Sequence, residues 1–532
     1  MLIIILIVLF GYFLVGIFYK NSKFIERLSL GYGIGLGIIS YLIFILSLLD
    51  IAITKTTVLL LLLTGFFLLR KNVILEILKI KRTIVNLKSI SVNVFGFGMK
   101  LAIIQILVFF LLIIFLYIRR MGILYFIDLN IFVLLFAVVF MMVYFCFRFL
   151  GKWLKIDPFF RNILNLESLE FILIILIVDV FLASLILNLY WPIYSWDALT
   201  MFDSRARIFL DQGKTILYKD QFAISYLTAY PFMSSIYHYL VYLFGGLNPK
   251  FIYSCFYLFL GLGFYSFLRK YKTRVICLSF TLLLLLTPIF FYHSTIAYTN
   301  LSFVYYFSIG LLYFYQGIVR KDKGELFIGG ILFGLTVWLR PGVEIFFIST
   351  LFGVIVYGVI KKNIRPALLL LFFYLFFSLS WLYYTRVMLA IDAYDSIRAG
   401  VGLLDKFRID IDGLKIIVQG FWDLQSNASE FGSALYLTIF TLVFFADRVY
   451  RKTFLVFLVS LNILAWVFLG YAQGLLRNFD HTWYAIFYDS MKRISMAFIP
   501  LYLFIVAYCW NLSFFNVKSK KTKHNIEKKK SK

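Results

Sequence analysis

A single carboxylate, Asp197, stands in the stretch "SWDALTMFDSRARIFLDQG" (Ser195 to Gly213), just after an almost purely aliphatic run from Phe171 to Tyr190. Asp203, Arg205, Arg207 and Asp211 follow it. Asp203 with Arg207, and Arg207 with Asp211, have the i,i+4 spacing of ordinary pairs on a helix surface. Asp197 has no partner at such a spacing. A carboxylate without a local partner at the mouth of an apolar segment is a candidate functional group, and the natural role for it is a general base.

Three other polar groups interrupt apolar runs. "FYHSTIAYTNLSF" carries His293, Tyr298 and Asn300; "WLRPGVE" carries Arg340 and Glu344; "YDSMKRISMAFIP" carries Asp489, Lys492 and Arg493. The plain reading makes Arg340–Glu344 an i,i+4 pair and lets Lys492 and Arg493 snorkel to the interface. The chemical reading gathers a base and several cations in one cavity. A base takes the proton of an attacking hydroxyl, and cations take the charge growing on a phosphate leaving group. That set suits transfer of a sugar from a polyprenyl phosphate to a hydroxyl.

The elements that must hold these residues are membrane helices. The chain has 532 residues, of which 63% are hydrophobic and 20% aromatic, with a mean hydropathy of +0.93. Soluble domains are about 45–50% apolar. Runs of about 20 apolar residues recur, long enough to cross a bilayer as helices. A β-barrel shows short alternating segments instead. The fold class is therefore all-α and polytopic, with about fifteen spans: 1–18, 28–49, 52–69, 101–118, 124–147, 169–190, 250–268, 273–291, 301–318, 325–339, 342–360, 365–385, 433–446, 453–471 and 494–511. The first run lacks a preceding basic residue, which favours a retained helix over a cleaved signal. Cys146, Cys255, Cys277 and Cys509 all lie in apolar segments and imply no disulfide framework.

The net charge of +26 points to the cytoplasmic loops of a membrane protein rather than to nucleic acid. With the N-terminus outside, nearly every basic cluster falls inside, including the tail 512–532; Arg119 and Arg120 are the exception. This holds only if "PFMSSIYHYLVYLFGG", Pro231 to Gly246, is not a span. Its short apolar run reads as a helix lying on the membrane. The loops 191–249, 386–432 and 472–493 then face outward with Asp197. Tyr190, Trp191, Tyr194 and Trp196 fit an aromatic belt, and these rings are expected to limit water access to Asp197. Residues 199–212 are expected to form a short helix.

In order and spacing, four segments resemble the GT-C type membrane glycosyltransferases, which include aminoarabinose transferases and protein O-mannosyltransferases. They are "SWDALTMFDSRARIFLDQG", "AYPFMSSIYHYLVYLFGG", "GGILFGLTVWLRPGVE" and "MKRISMAFIP". The resemblance covers residues 169–511. It implies a seven-helix core at 169–390 with a catalytic loop at 191–249 holding juxtamembrane helices. Residues 1–168 are then extra N-terminal helices, 391–511 are C-terminal helices and outer loops, and 512–532 form a basic cytoplasmic tail. It further implies that Asp197 activates the acceptor and that Arg340, Arg493 and Lys492 hold the donor phosphate. Asp203, Arg205 and Asn300 become secondary site residues, and His293, Tyr298 and Glu344 substrate contacts. Asn300 stands where many members carry an acid, and an amide is a weak metal ligand, so no cofactor is firmly expected and a divalent metal, with His293 as a possible ligand, is the doubtful alternative. The implied partners are a polyprenyl-phosphate sugar donor, a glycan, lipid or protein acceptor, and the bilayer. The abundance of Ile, Lys and Phe suits a bacterial inner membrane.

Other classes remain open on sequence. A lipid-linked glycan polymerase or ligase would use outer cations such as Arg386, Arg398, Lys406 and Arg408 without an Asp base. A transporter or flippase would show an internal repeat; none is visible, and Asp179 is the one strong acid within the span before the loop.

Overall fold

The structure is a computed structural model that describes residues 2–70, 73–74, 166–217, 230–340, 342–389, 410–476, 479 and 487–510. The expected spans 101–118 and 124–147, with Cys146, Arg119, Arg120, Arg398, Lys406, Arg408 and the tail, lie outside these residues. Every regular element among the described residues is a helix. Seven are long and apolar enough to cross a membrane, or eight if one bent pair is a single span. A helix stands at each expected span that falls within the described residues.

The first three, α1 (Leu2–Phe18), α2 (Phe24–Leu48) and α3 (Lys55–Leu68), run back and forth. The chain resumes with α4 (Leu166–Tyr190), α5 (Ser204–Gln212) and α6 (Met233–Leu243). Next come α7 (Phe251–Leu268), α8 (Arg274–Leu285), α9 (Pro288–Ser294), α10 (Thr299–Arg320) and α11 (Lys323–Leu335). The last group is α12 (Glu344–Ile360), α13 (Arg365–Tyr383), α14 (Ile411–Ser426), α15 (Ala434–Phe444), α16 (Thr453–Leu476) and α17 (Tyr488–Cys509).

Lipid tails are as apolar as leucine, so these helices associate through close packing and internal hydrogen bonds. Gly11 of α1 lies so near α2 that a Cβ there would sit 2.0 Å from Gly31 O. Gly329 of α11 is similar: its Cβ would sit 2.2 Å from Phe314 N. Buried tyrosines supply the hydrogen bonds. Tyr305 OH donates to Ser29 O (2.6 Å), Tyr306 OH to Gly33 O (2.6 Å) and Tyr32 OH to Ile252 O (2.8 Å). These bonds seat α2 against α7 and α10, so the boundary drawn at residue 168 separates segments that pack as one core.

Two expectations change. The run 273–291 is not one straight helix; α8 and α9 meet at 68°. Pro288 opens α9; it has no N–H to continue the helix before it. The second change concerns α6, which does not lie open on a membrane surface. It has 11 residues, too few to span, and Met233 to Val241 are all buried. Its polar side chains meet protein rather than headgroups: His238 faces Asp203 and Tyr253, Tyr237 faces Tyr306, and Tyr239 donates to Ile53 O.

The bundle has two polar ends. At one, Lys270 Nζ bridges Glu26 and Glu325, both at 2.8 Å, and Tyr313 and Tyr19 donate to the same two carboxylates. Arg448 and Lys272 close the nearby ends of α17 and the chain after it by donating to Cys509 O and Trp510 O. The other end carries the loop that follows α4.

Candidate functional site

The loop is fixed before it reaches Asp197. Pro192 cannot continue α4. Buried Lys250 donates to Trp191 O (3.2 Å) and Pro192 O (3.3 Å), and Asn248 donates to Asn188 O (2.7 Å). Lys250 has no carboxylate in these bonds, and burial pulls its ammonium down to about 8. The chain then enters a π-helical turn, Ala198–Asp203, that continues into α5. Such turns are rare and often sit at functional sites. The expected helix at 199–212 is thus present, with a widened first turn. Gly213 ends it at φ +65°, a left-handed conformation that glycine adopts without strain.

Asp197 has a partner after all. Arg493 Nη1 donates to Asp197 Oδ2 at 2.9 Å. Arg493 also pairs with Asp489, and its guanidinium lies 5.2 Å from the Tyr298 ring centroid. The aromatic belt does not enclose Asp197: Trp191, Tyr194 and Trp196 are exposed, and the Asp197 side chain is itself 32% exposed. Lys492 reaches the other way, to Glu430 at 2.9 Å.

Arg340 does not pair with Glu344. Its Nη1 donates to Asn300 Oδ1 at 3.0 Å, and among the described residues no ion pair or hydrogen bond joins Glu344 to this cluster. The turn beyond Arg340 passes through Gly342 at φ +83°, which sends α12 away from the arginine. Burial pulls the Arg340 guanidinium below its ordinary value, Tyr230 opposes this, Arg493 adds to it and Asp197 opposes it. His293 lies within electrostatic reach of Arg493, Lys492 and Arg340, and its ring centroid is 6.3 Å from that of Tyr298.

Asp197, His293, Tyr298, Asn300, Arg340, Lys492 and Arg493 therefore share one end of the bundle. Several buried polar atoms there have no hydrogen-bond partner: His293 Nδ1, Asn300 Nδ2, Arg340 Nε and Trp338 Nε1. Buried polar groups are normally satisfied. Three of these four are N–H donors, so the cluster is short of acceptors. A phosphate oxygen is an acceptor of the required kind. Asn300 Oδ1 takes a cation's N–H, which is not the arrangement of a metal ligand. Among the described residues no three His, Cys, Asp or Glu side chains converge.

Asp203 and Arg205 have partners of their own. Asp203 Oδ1 faces His238 Nδ1 at 3.2 Å and accepts from Tyr242 OH, while Oδ2 accepts from Arg207 Nε at 2.9 Å. His238 Nε2 lies 3.0 Å from Tyr253 OH. Burial alone would raise the Asp203 carboxyl; bonds from His238, Tyr242 and Arg207 outweigh it and hold it down at about 2. Burial also lowers His238, against the pull of Asp203, so its ring is neutral at pH 7. Arg205 is wholly buried; it donates to Met201 O (2.6 Å) and Tyr230 O (2.9 Å) and lies near Phe202 and Phe232. Burial pulls it down to about 9. Asp203 ties the start of α5 to α6, and Arg205 ties it to the chain before α6, where Tyr230 also hydrogen-bonds Arg340.

Sequence reasoning missed His238, Tyr242, Tyr253 and Lys250. A histidine in an apolar helix and a lysine at a helix start carry no spacing signal that ties them to the loop. No protein-family model, curated protein or solved structure matches the chain.

Proposed function

We propose that the chain is a membrane glycosyltransferase of GT-C-like architecture with about fifteen spans. It moves a sugar from a polyprenyl phosphate to an acceptor hydroxyl, with inversion, on the extracytoplasmic side of a bacterial inner membrane. The observation that carries this reading is the Asp197–Arg493 pair at 2.9 Å, set beside Arg340 among buried donors that lack acceptors. Sidedness follows from charge. Lys20, Lys23, Arg269, Lys270, Arg320, Lys321, Lys361, Lys362, Arg451 and Lys452 belong to the connections at the end opposite Asp197, and such clusters favour the cytoplasm. The N-terminus is then outside and the C-terminus cytoplasmic.

In this reading the two charges guard one another until the donor arrives. The donor's phosphate draws the Arg493 fork away from Asp197, and Arg340 and Lys492 supply further positive charge. A freed Asp197 oxygen takes the proton of the acceptor hydroxyl. The acceptor oxygen forms a bond to the anomeric carbon as the bond from that carbon to the phosphate oxygen breaks. The electron pair leaves with the phosphate, where the arginines stabilise it. Asp489 keeps Arg493 compensated when Asp197 lets go.

The test is transfer of radiolabelled sugar from a panel of polyprenyl-phosphate sugars by purified protein. Asp197→Asn is expected to lower the rate by roughly 10²–10⁴-fold with expression unchanged. Undiminished transfer by the variant would move the base to another residue.

A further inference from the structure

A cavity lies behind the loop, lined by Asp203 and not by Arg493. It has a volume of about 320 Å³ and is bounded by the end of α4, the π-helical turn, α5, α6 and the chain before α7. Its rim is apolar and open: Leu189, Tyr190, Leu199 and Leu247 are all exposed. Exposed apolar groups at the end of a membrane span, next to Trp191, Tyr194 and Trp196, belong at the level of lipid headgroups.

The inner wall is polar, and one of its groups is open to solvent. The Asp203 oxygens already accept from Tyr242 and Arg207 and face His238, and that side chain is only 5% exposed. Arg207 is different. Its side chain is 64% exposed, and its guanidinium rests 5.1 Å from the Tyr242 ring centroid. Nε is given to Asp203, and the side chain also hydrogen-bonds Tyr242. A guanidinium has five N–H donors in a planar fork, so donors remain for a ligand on this exposed side chain at the cavity lining. Such a fork matches a phosphate. An arginine fork above an apolar shelf, at headgroup depth, has the chemistry of a phospholipid site.

We propose that this cavity binds the phosphodiester headgroup of a bilayer phospholipid. The Arg207 fork holds the phosphate, and the first methylenes of the acyl chain lie on Leu189, Leu199 and Leu247. The lining segments 189–193 and 199–207 flank Asp197 on both sides, so a bound lipid braces the loop that presents it. The site is separate from Arg340 and Arg493, and the inference stands whether or not the chain transfers sugars.

The test uses the purified full chain in detergent, titrated with dihexanoyl phosphatidylglycerol and followed by native mass spectrometry. Wild type is expected to retain one lipid at this site. Arg207→Gln is expected to weaken it on the order of tenfold or more, and Leu199→Trp, which fills the cavity without touching the charge, is expected to do the same. If Arg207→Gln does not fold, Leu199→Trp decides alone. Wild-type affinity in the folded variants overturns the proposal. So does equally tight binding of sn-glycerol 3-phosphate, which would make the site one for a free anion. Displacement of phosphatidylglycerol by a polyprenyl phosphate at equal concentration also overturns it, because the cavity would then belong to the donor.

Discussion

Replacing Asp203 with alanine should loosen the candidate loop without touching Asp197. The carboxylate is held at about 2, below its ordinary value of 3.8. That difference is worth roughly 2.5 kcal/mol of stability at neutral pH, at about 1.36 kcal/mol per pKa unit. Truncation also strands His238 Nδ1 and Tyr242 OH, both inside the fold, and orphaned buried donors cost about 1–3 kcal/mol each. Part of the Arg207 contribution must be discounted, because that side chain is 64% exposed. A net loss of about 2–4 kcal/mol is expected. Asp203→Asn keeps an acceptor and should lose less. The assay is thermal unfolding in detergent followed by tryptophan fluorescence, at several pH values. The sign is fixed by the depressed pKa. The stabilisation is fully present above the unfolded value of 3.8 and is lost as pH falls through about 2. Roughly half should therefore be gone by pH 3. An Asp203→Ala protein that unfolds within about 0.5 kcal/mol of wild type at pH 7 would refute the anchoring role. So would a difference between the two proteins that does not shrink on acidification.

Other outcomes follow from the same geometry. Burial holds the His238 pKa below its ordinary value, so the unfolded chain takes up its proton first as pH falls, and acidification through about pH 6.5 should lower the melting temperature of wild type more steeply than that of His238→Phe. Equal slopes from pH 8 to 5 would exclude it. Gly329→Val places a Cβ against the Phe314 backbone at 2.2 Å and should cost about 1–3 kcal/mol or more, read as a lower unfolding midpoint. Asp179 is buried in α4 with Oδ2 unpartnered, so Asp179→Leu should raise that midpoint, by about 1–3 kcal/mol; a lower midpoint would mean that the carboxyl has a binding role.

The helices were legible because hydropathy separates apolar from polar segments over 20 residues. The placement of α6 was not. Burial against protein and burial against lipid select the same apolar residues, so "PFMSSIYHYLVYLFGG" could not reveal which it meets. The gathering of Asp197, Asn300, Arg340 and Arg493 at one end was legible from loop sidedness alone. Who pairs with whom was not. Arg340 chose Asn300 across 40 residues instead of Glu344 at i+4, because Gly342 turns the chain between them. Asp203 drew on His238, 35 residues away. Such pairings have no period, and only the fold states them.

The two anchors of the loop differ in when they can form. Asp203 and its partners His238, Tyr242 and Tyr253 are translated close together, so the loop can settle soon after α7 is made. Asp197 waits for Arg493, 296 residues later. At about 5–20 residues per second that is a delay of roughly 15–60 s. A ribosome that stalls before the final helix leaves a shaped loop with a bare carboxylate and no arginine opposite it. The end of the bundle that holds Asp197 thus waits on a segment made much later, which must find a loop already in place.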